Sequence, residues 1–214
     1  MKKLTILLYI FCCTNCYSQL NIYSGLSIAN FYENKNQSEA EKKVVLHAGI
    51  GYDQTLFKSS ISLTSKIYYT QLGGKLVDMN EFKTNYTANC IAASIGLKFR
   101  NNFKSKIYFN ISISPTFLYV NSLQAEIEFL NSERKPLKLS LDEKNPKTQQ
   151  WNSGVNFETG IDFKVYKSRI GINFFHTFYF DDMGGTRRYA YGGGYENNKY
   201  YFENSGLRLI YIFE

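Results

Sequence analysis

Several things are scarce in this chain of 214 residues, and each scarcity excludes a class. It has four cysteines, three prolines, two histidines and one tryptophan. Three of the cysteines, Cys12, Cys13 and Cys16, lie in an N-terminal segment that reads as a removable export signal. Cys90 is then the sole thiol, which excludes both a disulfide framework and a thiolate metal cluster. No stretch beyond that segment approaches the ~20 apolar residues a spanning helix needs, and the mean hydropathy of −0.31 is too polar for a helical membrane bundle. Basic runs are also missing. The formal charge is +7, but the lysines are dispersed, never more than two together, so a nucleic-acid-binding face is not read.

The N-terminus supplies an address. Lys2 and Lys3 precede an apolar run from Leu4 to Cys13, and small residues flank a cleavage point after Ser18. That is the pattern of a signal peptide over 1–18, too short to be an anchor. Cys16 preceded by Thr14-Asn15 fits a lipobox poorly. The domain to be explained is therefore 19–214, room for one domain.

What is abundant is aromatic. Tyr 18 and Phe 17 bring aromatic residues to 17%, a load that suits pleated sheet. These residues fall into about eight alternating segments. Leu20 to Tyr32 is the first. In the second, Val44, Leu46, Ala48, Ile50 and Tyr52 oppose His47, Gly49, Gly51 and Asp53. In the third, Ile61, Leu63, Ile67 and Tyr69 oppose Ser62, Thr64, Lys66 and Tyr68. The fourth runs from Asn85 to Arg100, with Ile91, Ile95, Leu97 and Phe99 against Ser94, Gly96 and Lys98. The fifth covers Lys106 to Val120 and contains Pro115, read as a bulge or a local gap in the ladder. Trp151 to Val165 sets Val155, Phe157, Ile161 and Phe163 against Asn156, Glu158, Asp162 and Lys164. Arg169 to Phe180 is the seventh, after a two-residue turn at Lys167-Ser168. The last, Ser205 to Phe213, places Leu207, Leu209, Tyr211 and Phe213 opposite Gly206, Arg208 and Ile210.

The connections also alternate. Those at 57–59, 101–104 and 167–168 are short, whereas 33–43, 72–83, 122–150 and 181–199 are long. An even number of long strands, with turns at one end and loops at the other, is the pattern of an outer-membrane barrel. The fold class expected is all-β: an eight-stranded, antiparallel, up-and-down transmembrane β-barrel. Its apolar faces meet lipid, and its lumen receives His47, Asp53, Lys66, Lys98, Glu158, Asp162, Lys164 and Arg208. Opposite charges in a barrel of about eight strands, which side chains just fill, predict a salt-bridged plug.

The terminal strand has the polar-Gly-x-x-apolar-x-apolar order of Ser205, Gly206, Leu209 and Tyr211, closing on Phe213. This resembles the targeting strand of bacterial outer-membrane barrels. Together with the signal ending in Ser-Gln, CIAASIGLKFR over 90–100 and KIYFNISISPTFLYV over 106–120, it resembles the small outer-membrane β-barrel proteins of the Bacteroidetes, grouped as porin-family or PorT-like. The resemblance implies insertion by the barrel-assembly machinery, contact with outer-membrane lipid and lipopolysaccharide, and a surface or secretion partner. It carries no catalytic motif and no cofactor.

Three alternatives stand beside the non-enzymatic reading. A narrow small-solute channel would need an open polar lumen. A soluble, lipocalin-like carrier would place Ile111, Phe157 and Leu209 inside around a ligand. A lipid hydrolase would need His47 or His176 to meet a serine and a carboxylate. Asp181-Asp182 reads as a solvated cap, not a calcium site. The Tyr-Gly loop from Tyr189 to Tyr201, with Arg187-Arg188, reads either as a membrane-interface belt that can pair with lipopolysaccharide phosphates or as a partner-binding tip.

Overall fold

The computed structural model describes residues 18–33, 41–56, 60–78, 82–104, 106–130, 135–140, 151–180 and 200–213. Residues 1–17 of the signal peptide expected over 1–18, residues 181–199 with Arg187 and Arg188, Leu141, and the side chains of Tyr200 and Tyr201 lie outside that description. The described residues form nine strands: β1 (Ser18–Glu33), β2 (Lys43–Thr55), β3 (Ile61–Asp78), β4 (Phe82–Lys104), β5 (Ile107–Phe129), β6 (Leu137–Ser140), β7 (Trp151–Val165), β8 (Ser168–Tyr179) and β9 (Tyr200–Phe213). Their order is β4-β3-β2-β1-β9-β8-β7-β5-β6, and β4 also pairs with β5. The ring therefore closes through eight strands, all antiparallel, with β6 added outside it on the far end of β5. Closure removes the sheet edge and satisfies the backbone groups internally, as hydrocarbon surroundings require.

The two faces are inverted relative to a water-soluble barrel. Val44, Ile95, Leu209 and Ile111 are between half and two-thirds exposed, at 66%, 61%, 60% and 50%. Their chain neighbours on the opposite phase, Val45, Ser94, Arg208 and Ser112, are buried. Ile111, Phe157 and Leu209 are all outside, so the lipocalin-like arrangement does not hold. On β8 the exposed apolar series runs from Ile170 to Phe180. At about 3.3 Å per residue and a tilt of ~45°, that series rises ~24 Å, the height of an outer-membrane apolar band. Aromatic pairs stand at both rims: Tyr119 and Trp151, 4.9 Å apart at the loop end, and Tyr211 and Phe213, 4.8 Å apart at the turn end.

Several expected boundaries move, each because the ladder extends farther than the alternation suggests. The stretch 72–83 is not a loop: β3 and β4 pair continuously from Ile61↔Phe99 to Asp78↔Phe82, leaving only 79–81 between them. The interruption expected from 122 is strand as far as Phe129, because β4 carries β5 along with it. Residues 101–104 belong to β4, with Asn101 paired to Phe109 and Lys104 to Ile107. The β7–β8 turn is Tyr166-Lys167, not Lys167-Ser168, since Ser168 pairs with Val165. Leu137–Ser140 pairs with β5 as a ninth, short strand. The register shifts at Asn89/Cys90 and Asn102/Lys104, not at Pro115. Pro115 pairs with Val155 on one side and faces a gap on the other, where the β4 ladder resumes in the same register from Ser94↔Thr116 to Leu97↔Ile113.

Candidate functional site

Among the described residues, the lumen collects the buried charged side chains. Because β-strand side chains alternate, every second residue of the eight ring strands projects inward, and polar residues on that phase become buried. Of the sequence candidates, His47, Asp53, Lys66, Lys98, Glu158, Asp162 and Arg208 are 0–5% exposed in the interior. Lys164 is not among them. It lies in the inward phase, but one residue from the β7 end, and is exposed at the rim.

Two ion networks cross the lumen between strands distant in sequence. At its centre Glu158 on β7 takes Lys66 from β3 and Arg208 from β9, the latter through Nη1 at 2.6 Å. Asn173 donates to its other oxygen at 2.5 Å. Toward the turn end Asp53 on β2 accepts from Lys98 at 2.9 Å and from Thr64 at 2.7 Å. Arg100 bridges Asp53 and Asp162, 3.3 Å from each, and donates to Gln19 at 2.8 Å. Asn110 donates to Asp162 at 3.0 Å and accepts from Asn173 at 3.2 Å, joining the two networks. Buried carboxylates are tolerated only when paired and hydrogen-bonded in this way. Ile210 and Ile212 are buried beside these networks along β9.

The loop end of the lumen is lined differently. Leu72, Ala88, Cys90 and Leu118 are fully buried, with Phe202 and Tyr179 beside them. Between the two zones sits an aromatic box. The Arg208 guanidinium stands 3.8 Å over the Phe175 ring, 5.1 Å from Tyr23 and 5.5 Å from Tyr68. His47 packs against the same rings, 5.6 Å from Tyr23 and 4.8 Å from Phe175. Desolvated cation–π contact of this kind stabilises by up to about 2 kcal/mol. Gly49 makes the box possible: a Cβ there would lie 2.4 Å from the Ile67 carbonyl oxygen and 2.5 Å from the Tyr68 Cβ.

Sequence reasoning puts Asn110, Asn173 and Phe175 on the polar phase of their strands without singling them out, and it missed Arg100, Arg169 and most of the aromatic filling. Arg100 falls in the same period-2 phase as Lys98, so extending that phase one step would have found it. Tyr23 and Leu118 carry no such signal, because an aromatic or aliphatic residue fits either face.

The hydrolase alternative needs a histidine to meet a serine, and the described residues hold one such pair. His176 lies on the outer face between Phe174 and Phe178, and its Nδ1 hydrogen-bonds Ser205 Oγ on β9. The ring packs edge-on against Phe178 at 4.0 Å. Glu203, on the same face as Ser205, accepts from Asn30 at 3.2 Å. The backbone at Ser205 and His176 is held in the ladder by Ile28 and Phe157. Two polar side chains facing lipid satisfy each other here. His47 meets rings rather than a nucleophile.

No protein-family model matches the chain, and no curated protein matches it. Solved structures do resemble it in shape. Neisserial surface protein A is 9% identical, covering 91% of this chain and 96% of that one, with a TM-score of 0.47. Ail, the attachment invasion locus protein of Yersinia pestis, is 9% identical over 92% of this chain and 99% of its own, with a TM-score of 0.42. The N-terminal β-barrel domain of Pseudomonas aeruginosa OprF is 7% identical over 93% and 100%, with a TM-score of 0.38.

Proposed function

We propose that this chain is an integral outer-membrane protein with a filled, non-conducting lumen and no enzymatic activity, working from its loop-side surface. One observation carries the reading: an apolar exterior encloses an interior occupied by cross-linked side chains. A wall of exposed Ile, Leu and Phe suits hydrocarbon and is unsuited to water. An interior tied by Glu158, Asp53 and Asp162 to four cations leaves its polar atoms to one another. The export signal agrees with this location. The closing strand, with Ser205, Gly206, Leu209, Tyr211 and Phe213, agrees with delivery by the barrel-assembly machinery.

The loop end is where such a barrel would meet a partner. β4 and β5 have 23 residues each, against 12 in β8. Their excess continues past the apolar band as a sheet of β3, β4, β5 and β6. Its outward side is polar, with Lys83 bound to Glu41 at 2.9 Å and Lys138 to Glu126 at 3.4 Å. The sheet fits a role in surface binding, envelope integrity or a secretion apparatus, and its lysines fit lipopolysaccharide phosphates. Membership of the PorT-like barrels of the Bacteroidetes rests on the sequence resemblance.

The test is reconstitution of the purified barrel into planar lipid bilayers. The proposal predicts insertion without unitary conductance steps. A steady, ion-selective open level would replace it with the narrow channel.

A further inference from the structure

Most polar atoms of the lumen answer one another, but a group beside Arg208 does not. Nε and Nη2 of Arg208, both ring nitrogens of His47 and the Tyr23 hydroxyl have no hydrogen-bond partner among the described residues. All three side chains are at most 2% exposed. Buried polar groups are almost always partnered, and an exception calls for a bound water or ion.

The three belong to one site. Gly25 pairs with His47 on β2 and with Arg208 on β9, so at that level no β1 side chain stands between them. Tyr23, the preceding inward residue of β1, closes the group. Its ring stacks on His47 at 5.6 Å and lies 5.1 Å from the Arg208 guanidinium carbon.

Charge decides what such a site takes. Toward the turn end Lys98 and Arg100 meet two carboxylates, Asp53 and Asp162. At the centre Lys66 and Arg208 share one, Glu158. The central network therefore carries one positive charge in excess, and an uncompensated charge in a low-dielectric interior is costly. The rings around Arg208 offset only part of it. The unpartnered atoms are also mostly donors: Arg208 has three N–H bonds there, Tyr23 an O–H and His47 at least one N–H. Water would use these donors and leave the charge. A monovalent anion answers both, whereas a divalent one would overshoot the surplus. Phe175, Tyr68 and His47 wall the site with rings. Such surroundings cost a weakly hydrated halide less than a phosphate or a carboxylate.

We infer that Arg208, His47 and Tyr23 hold one halide ion, chloride, in the middle of the lumen as the counter-ion of the Lys66–Glu158–Arg208 network. The inference rests on the filled lumen proposed above and adds that an ion taken from solution completes the filling.

Bromide is the probe, since it replaces chloride and scatters X-rays anomalously. Crystals of the purified barrel soaked in bromide should show one anomalous peak within hydrogen-bond reach of Arg208 and Tyr23. The chain has two histidines, so in H176Q the imidazole signal in a nitrogen-correlated NMR spectrum belongs to His47 alone. In micelles buffered with gluconate, bromide should move that signal to a saturating end point. Tyr23→Phe keeps the ring and removes only the hydroxyl. It should weaken bromide binding about five-fold, the effect of one ordinary hydrogen bond. Lys66→Met cancels the surplus charge and should weaken binding about ten-fold or more through the lost attraction. Ordered water at the site without anomalous signal, or a His47 signal indifferent to bromide, overturns the ion. So does a bromide affinity unchanged in both variants. A response that grows without saturating overturns it too, and unitary conductance beside it removes the filled lumen as well. A silent bilayer with no bromide peak removes the ion alone.

Discussion

The central and turn-side lumen and the loop-side lumen solve the same problem with opposite materials. The first is charged and hydrogen-bonded: Glu158, Asp53 and Asp162 each bind a cation from a distant strand. The second is apolar, with Leu72, Leu118 and Cys90 shut away from water. Both line the interior of the barrel, but they fail differently. An ion network is sensitive to the loss of one charge and tolerant of shape. An apolar zone is indifferent to charge and sensitive to volume. The Arg208 box, a cation among rings, joins the two.

The sharpest way to break the comparison is Glu158→Gln. It leaves Lys66 and Arg208 buried together without their carboxylate, and breaking a buried pair this way costs about 3–5 kcal/mol. Urea unfolding of the barrel in lipid should show that loss. Replacing the whole trio by K66M, E158L and R208M should recover most of it, since an apolar set of similar volume replaces ions at little or no cost. If the triple variant is as unstable as the single one, the ions are not interchangeable filling.

Leu118→Ala probes the other zone. It removes volume from a fully buried position, with an expected loss of about 2–5 kcal/mol in the same unfolding experiment. Bilayers containing it should still show no conductance, because the ion networks below remain closed. Next is Gly49→Ala, which forces Tyr68 or the β3 backbone aside. A loss of about 1–3 kcal/mol is expected for overpacking. Ala48→Gly, one residue away on the lipid face, should cost less.

The smallest effect belongs to the overhanging sheet. Glu41 and Lys75 exchange backbone hydrogen bonds at 2.9 and 3.1 Å. The hydrogen bond from Lys83 holds the Glu41 carboxyl below the ordinary carboxylate range. A lowered value means that the tie is complete at neutral pH and disappears as pH falls through it. Hydrogen exchange at the Lys75 amide, corrected for the intrinsic rate, should quicken over that acid window. It should already be fast at neutral pH in Glu41→Gln, with the unfolding midpoint unchanged. An amide indifferent to both changes would remove the tie from the account.

The fold was legible because period-2 alternation and the short–long order of connections are properties of single segments. Lys66, Glu158 and Arg208 could be assigned inward for the same reason, since a charge on a strand with one lipid face has only one place to go. Which charge meets which could not be read. Lys66 and Glu158 are 92 residues apart, and their meeting depends on closure and shear, which no single strand encodes. The boundaries were misplaced where polar residues such as Lys75, Lys83 and Glu126 looked like loop. Beyond the apolar band a strand needs no apolar face, so the signal disappears while the ladder continues.

The account turns on which face meets lipid. The most direct measurement is a nitroxide walk over Ser94, Ile95, Ile111, Ser112, Arg208 and Leu209 in vesicles, comparing accessibility to oxygen with accessibility to a water-soluble nickel chelate. The account predicts strong oxygen and weak nickel contact at Ile95, Ile111 and Leu209, and weak contact with both at their neighbours. Nickel contact at Ile95, Ile111 and Leu209 would contradict a membrane barrel, and nickel contact at Ser94, Ser112 and Arg208 would contradict a filled lumen.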